Sequence, residues 1–310
     1  KFKILSFYAF TNVYDIRQKL KFIKTECEDN NINGLVILAK EGVNGTLSGF
    51  EKNLDRLIEL LTNEVFKCDM NVKEAFSKIA PFARIKVKIK KEIVTFGVDN
   101  ISSYKQRGRY VEPSEWNDLI SKDDIVTIDT RNDYEVRIGS FKGSINPKTR
   151  SFKEFPRWWE KNKNELKGKS IAMFCTGGIR CEKSTKYLLK DGVKNVYHLK
   201  GGILNYLKSQ NNKNSLWEGE CFVFDQRVSV DKDLNKGKSI LCYACRVPLK
   251  PKDLINPKYE EGVSCPQCYN YTNDTRKNNF RERQKQIRLA FERGEKHLKD
   301  RKSTRLNSSH

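Results

Sequence analysis

The stretch SIAMFCTGGIRCEKSTKYLL, residues 170–189, passes from a short apolar run straight into a helical pattern through two adjacent glycines. A buried strand that turns into a helix this abruptly has to return to its sheet by a crossover, which predicts parallel pairing. The surroundings agree. Pro113 opens a helix carrying Trp116, Leu119 and Ile120, DIVTIDT is a buried strand, and NVYHL is a last strand before the turn KGGI. Residues 111–211 therefore read as one α/β unit.

The same turn concentrates chemistry. Gly177 and Gly178 let backbone N–H groups converge on one point, and the positive end of the following helix faces that point. Such surroundings lower a thiol pKa, so Cys175 is the expected nucleophile, cradled by Thr176, Gly177, Gly178, Ile179 and Arg180. Arg180 adds a fixed charge able to hold an anionic substrate or a bound anion. The ring from Cys175 to Arg180 is shorter than the phosphate loop of cysteine phosphatases, and suits a smaller group such as the outer sulfur of a persulfide. Cys181, on the first helical turn, is either a resolving thiol or a small packing residue.

At this loop the chain resembles the rhodanese family. The resemblance extends to IDTRNDYE (128–135), GSFKGSINP (139–147) and HLKGGILNY (198–206), in that family's order. It implies that Cys175 carries the persulfide and that Asp129 and Arg131 support the loop. Ser140 departs from the pattern, since many rhodaneses have histidine there.

Upstream, residues 1–97 alternate strand and helix patterns: KILSFYAF, IRQKLKFIKTECEDN, NGLVILAK, GVNGTLSG, KNLDRLIELLTNE and RIKVKIKKEIV. The order β-α-β-β-α-β predicts a ferredoxin-like, split-βαβ domain. Within AKEGVNGTLSG, Gly42 and Gly45 mark either hairpin chemistry or a ligand contact. Residues 98–110 read as a linker.

Beyond residue 211 comes an extended segment, then Cys242-x-x-Cys245 and Cys265-x-x-Cys268, all within 212–272. Two such knuckles suit a four-thiolate site, with structural zinc expected and an iron–sulfur cluster as the alternative. Residues 273–302 read as a basic helix, in which Arg276, Lys277, Arg281, Arg283, Lys285 and Arg288 are candidate phosphate contacts or a solvated face. The tail 303–310 fits no pattern and is expected to be non-native.

The net charge of +21 points to a polyanionic partner, nucleic acid first. With three histidines, a two-histidine iron centre has no plausible pair, and no flavin or NAD fingerprint is present. No apolar run approaches the ~20 residues of a membrane span, and KFKILSFYAF reads as a first strand rather than a signal peptide. A cytoplasmic protein without membrane association is expected.

Across residues 1–270 the chain resembles the rhodanese-domain tRNA uridine hydroxylases of bacteria. The motifs are AKEGVNGTLSG, IGSFKGSINPKTRSFKEFP, MFCTGGIRCEKS, YHLKGGILNYL and LWEGECFVFDQRVSV. The resemblance implies conversion of the wobble uridine, position 34 of tRNA, to 5-hydroxyuridine with molecular oxygen as co-substrate. A sulfurtransferase feeding tRNA thiolation is the rival enzyme, and an RNA-binding module with a vestigial site the non-enzymatic one. Oligomeric state is not legible.

Overall fold

A computed structural model of the chain describes residues 2–78, 80–209 and 214–294. The first domain runs β1 (Phe2–Phe10), α1 (Ile16–Asp29), β2 (Asn33–Ala39), β3 (Gly42–Gly49), α2 (Glu51–Leu60), β4 (Asn71–Ser77) and β5 (Ile85–Ile89). Its sheet has the order β4-β1-β3-β2-β5, antiparallel except for the β2–β5 pair. Alternation along the strands separates two faces. Leu5, Phe7, Val43 and Leu47 pack against Ile23 and Cys27 of α1 and Leu54 and Leu57 of α2. On the opposite face the register sets Lys73 beside Ser6 and Ser6 beside Thr46, with Asn71, Tyr8 and Asn44 in the next row.

The ferredoxin-like order is present, but its fourth strand is β4 and not RIKVKIKKEIV. Within the latter, β5 is an added edge strand parallel to β2. The sequence NVKEAFS of β4 disguises a strand: Val72, Glu74 and Phe76, on the helix side of the sheet, are exposed at its edge, and the opposite face carries a lysine.

The second domain comprises β6 (Arg109–Val111), α3 (Pro113–Ile120), β7 (Ile125–Asp129), α4 (Asp133–Val136), β8 (Gly139–Phe141), α5 (Phe155–Asn162), β9 (Ser170–Phe174), α6 (Ile179–Lys190), β10 (Val196–Leu199) and α7 (Gly202–Ser209). A parallel sheet in the order β6-β10-β9-β7 puts the all-buried β9 in its interior. The expected linker 98–110 is packed rather than free. Ile101 is buried, Lys186 donates to the Ser102 carbonyl, and Arg109 and Tyr110 already belong to β6.

Three small ladders follow: β11 (Trp217–Gly219) on β8, β12 (Cys221–Phe222) on β13 (Ser229–Val230), and β14 (Ile240–Leu241) on β15 (Pro248–Leu249). The chain closes with α8 (Pro251–Leu254) and α9 (Asp274–Glu292), the latter capped by the Asn273 side chain accepting from the Arg276 N–H at 2.9 Å. The expected continuation of this helix over 295–302 and the tail 303–310 lie outside the described residues. No described helix is long and apolar enough to cross a membrane.

One helix joins the two domains. Along α6 even Glu182, Lys183 and Lys186 are buried, because the helix packs on its own sheet and also against the first domain. Lys183 reaches Glu41 at 2.6 Å, Glu92 at 2.5 Å and the Val94 carbonyl at 3.0 Å. Glu182 accepts from Tyr110 at 2.6 Å and from Tyr8 at 3.3 Å. Docking by hydrogen-bonded charges fixes the domains more specifically than apolar contact would.

Candidate active site and metal centre

Cys175 leaves the end of β9, and its loop is shaped from behind by α7. The N–H of Ile203 donates to the Cys175 carbonyl at 3.0 Å and that of Leu204 to the Thr176 carbonyl at 3.2 Å. With those carbonyls drawn away, the loop turns N–H groups inward, and Gly178 donates to Cys175 Sγ at 3.0 Å. The motif KGGI is explained by this contact. A Cβ on Gly202 (φ +68°) would stand 2.5 Å from the Cys175 oxygen and 2.7 Å from the Thr176 oxygen, so only glycine fits.

Burial opposes a thiolate at Cys175. A hydrogen bond from the Cys181 thiol, the Arg180 charge, and the N–H groups of Cys181 and Arg180 outweigh it, bringing the group down to about 6. Cys181 is the reverse case. Burial and then the adjacent Cys175 sulfur hold its thiol well above the ordinary range, and Thr130 Oγ1 lies 3.7 Å away. At neutral pH the pair is a thiolate beside a thiol donor. Arg180 is nearly buried and is held by Glu135 through two 2.8 Å hydrogen bonds. Asp129 and Arg131 form a fully buried pair at 2.6 Å, and Ser140 turns back onto Asp129 at 2.7 Å.

In front of the loop lies a cavity of about 150 Å³ whose far wall is the first domain's sheet. Ser6, Tyr8, Thr46 and Lys73 face Cys175 and Thr176 across it. A second cavity of about 250 Å³ continues from it, sharing Ser6, Thr46, Lys73, Thr176, Leu204 and Phe224. The site is thus composite, and Lys73 and Tyr8 are the residues sequence reasoning missed. The one available signal was AKEGVNGTLSG, which supplies Thr46 to the wall, Glu41 to Lys183 and the Asn44 side chain to the Ile93 carbonyl at 3.0 Å.

Comparison with known families follows this division. Residues 2–93 match the UPF0176 acylphosphatase like domain, and residues 112–209 match the rhodanese-like domain. The chain joins an acylphosphatase-like domain to a rhodanese-like domain. Among solved structures it is similar to a rhodanese-related protein from Thermoplasma volcanium, with 23% identity over 32% of this chain and 91% of that one, at a TM-score of 0.28. A rhodanese-like domain from Anabaena matches at 14% identity over 36% and 78%, with a TM-score of 0.30. A bacterial light-regulated adenylyl cyclase matches at 16% identity and a TM-score of 0.26, over 29% of this chain and only 27% of the cyclase.

Beyond the rhodanese-like domain, Cys242, Cys245, Cys265 and Cys268 come together with all four sulfurs within 4.8 Å of one another. The Cys245–Cys265 and Cys265–Cys268 separations are 3.7 Å and that of Cys242–Cys268 is 4.0 Å. Four sulfurs about 2.3 Å from a tetrahedral zinc stand roughly 3.8 Å apart, so the donor set fits that metal. The Cys242 N–H bonds the Val247 carbonyl at 2.9 Å and the Arg246 N–H the Cys242 carbonyl at 2.7 Å, which closes the first knuckle.

Helix α9 packs on this centre. Lys277 is buried over the Tyr269 ring at 3.9 Å, Arg281 pairs with Glu260 at 2.6 and 2.7 Å, and Arg283 donates to the Gly262 carbonyl at 2.6 Å. Arg276, Lys285 and Arg288 stand on the exposed side. Half of the expected basic stripe is therefore engaged in holding the helix to the knuckles.

Proposed function

We propose that the chain hydroxylates the wobble uridine of tRNA at C5 in an oxygen-dependent reaction, with Cys175 as the reactive group. The observation that carries this reading is the placement of a thiolate-favouring cysteine in a cleft built by two domains. A stand-alone sulfur carrier needs no second domain across its loop, whereas one nucleotide extruded from an RNA loop needs walls on both sides. The excess of positive charge suits the RNA partner.

Chemistry follows from the thiolate. Addition of Cys175 sulfur to uracil C6 forms a C–S bond and moves the C5–C6 π pair onto C5 and O4, making C5 the electron-rich carbon. One oxygen atom then enters at C5, the other leaves as water at the expense of an external two-electron donor, and loss of the C5 proton with expulsion of sulfur restores the double bond. Cys175 is only 1% exposed, which limits the access of bulk water to its sulfur.

Mass spectrometry of tRNA nucleosides from a deletion strain tests the reading, complemented with wild type or Cys175→Ser. Loss of 5-hydroxyuridine restored only by the wild type supports it. Loss of thiouridine instead supports sulfur transfer, and full 5-hydroxyuridine with Cys175→Ser would sink the mechanism.

A further inference from the structure

Three successive carbonyls of the reactive loop are held from outside it. Those of Cys175 and Thr176 are bound by N–H groups of α7, within the rhodanese-like domain. The third, of Gly177, is bound by the ammonium of Lys73, from β4 of the acylphosphatase-like domain. Its peptide unit is the one whose N–H, on Gly178, donates to Cys175 Sγ at 3.0 Å. Glycines on both sides make this the least constrained peptide of the loop, and Gly178 sits at φ +100°. Nothing in the loop's own sequence stops the peptide from turning its oxygen toward the sulfur.

We propose that Lys73 is a positioning residue that locks the Gly177–Gly178 peptide with its N–H on Cys175, so that the acylphosphatase-like domain sets the reactivity of the rhodanese-like site. The geometry around Lys73 fits that role. Its side chain also donates to Asn71 Oδ1 at 2.9 Å and lies 5.7 Å from the centre of the Tyr8 ring, both on the same sheet. Glu182 and Cys175 are the negative groups near it. Burial lowers Lys73 to about 8, with those two charges opposing the shift, so it remains mostly an ammonium at pH 7. Arg180, the loop's own cation, is already bound by Glu135, which leaves Lys73 as the second positive group on the cavity wall.

The proposal rests on Cys175 being the reactive thiol, and its test separates the two claims. The full chain is alkylated with iodoacetamide across pH 5–9, and modification of the Cys175 peptide is followed by mass spectrometry. A wild-type midpoint in the ordinary thiol range would remove Cys175 as an activated group. Given a low wild-type midpoint, Lys73→Met is expected to raise it by about one unit, a tenfold loss of thiolate below the midpoint. Lys73→Arg, which keeps charge and donors, is expected to stay near the wild type. An unchanged midpoint in a folded Lys73→Met, or equal shifts in Met and Arg, overturns the proposal. Should Lys73→Met fail to fold by circular dichroism, Lys73→Gln replaces it: a raised midpoint supports the role and an unchanged one rejects it.

Discussion

Arg180 gives both terminal nitrogens to the two oxygens of Glu135, at 2.8 Å each, with the carboxylate fully buried and the guanidinium nearly so. The Asn132 N–H adds a further hydrogen bond to the same carboxylate at 3.0 Å. The arginine at the end of the loop is thereby part of the fold as well as of the cavity wall. Removing one member of such a pair leaves a charge buried without its partner, at about 3–5 kcal/mol. Glu135→Gln and Arg180→Met are each expected to lose that much in urea unfolding, and the double variant less than their sum. An arginine held in reserve for substrate would behave otherwise: Arg180→Met would leave stability alone and weaken only binding.

What the sequence disclosed and what it hid divide along contact range. The loop from Cys175 to Arg180, the strand before it and the helix after it are contiguous, so their local geometry could be read from neighbours alone. The same holds for the two cysteine pairs, whose spacing carries the geometry. Glu135 lies 45 residues from Arg180 and Lys73 lies 104 from Gly177, and no periodicity links either pair. Strand β4 carries no apolar alternation, because one face is exposed at the sheet edge and the other presents a lysine to the cavity. Glu182 and Lys183 are charged residues on α6, and nothing in their local sequence marks them as buried. They are buried only because another domain docks there, and a single sequence has no signature for docking.

Cys175 also couples stability to pH. Its thiol falls from an ordinary 9.0 to about 6 in the fold, the hydrogen bonds and the Arg180 charge overcoming burial. Between those values the unfolded chain binds the proton and the folded chain does not, so stability rises with pH. The contribution is absent below about pH 6, where both states are protonated, and complete above about pH 9. Subtracting the urea-unfolding free energy of Cys175→Ser from that of the wild type should give a difference that grows from pH 6 to 9, by no more than about 4 kcal/mol at 1.36 kcal/mol per unit. A flat or falling difference would contradict a thiolate in the native state.

The knuckle region depends on its ligands to a degree the domains do not. Its buried cluster consists of Cys242, Cys265, Cys268 and Leu249, so the metal-binding thiols are most of its core. Metal removal takes away the common partner that holds these four sulfurs together. One zinc per chain is expected by elemental analysis, and none in Cys245→Ser or Cys268→Ser. Chelation should open residues 240–272 to limited proteolysis while peptides from β9 and α6 stay protected. Iron with visible absorbance would replace zinc by a cluster at the same thiols.

Helix α9 offers a separable test of RNA contact, because its basic residues divide by partner. Arg281 and Arg283 are tied to Glu260 and Gly262, so their substitution confounds binding with anchoring of the helix. Lys285 and Arg288 are exposed and free of that duty. Lys285→Glu with Arg288→Glu is expected to weaken tRNA binding and to lower the slope of log affinity against log salt by about one per lost phosphate contact. Thermal stability should hold within about 0.5 kcal/mol, as for ordinary surface changes. Binding unaffected by the charge reversal would make α9 a strut for the knuckles and turn the test for RNA contact to the cleft, where Lys73 and Lys208 stand on the walls.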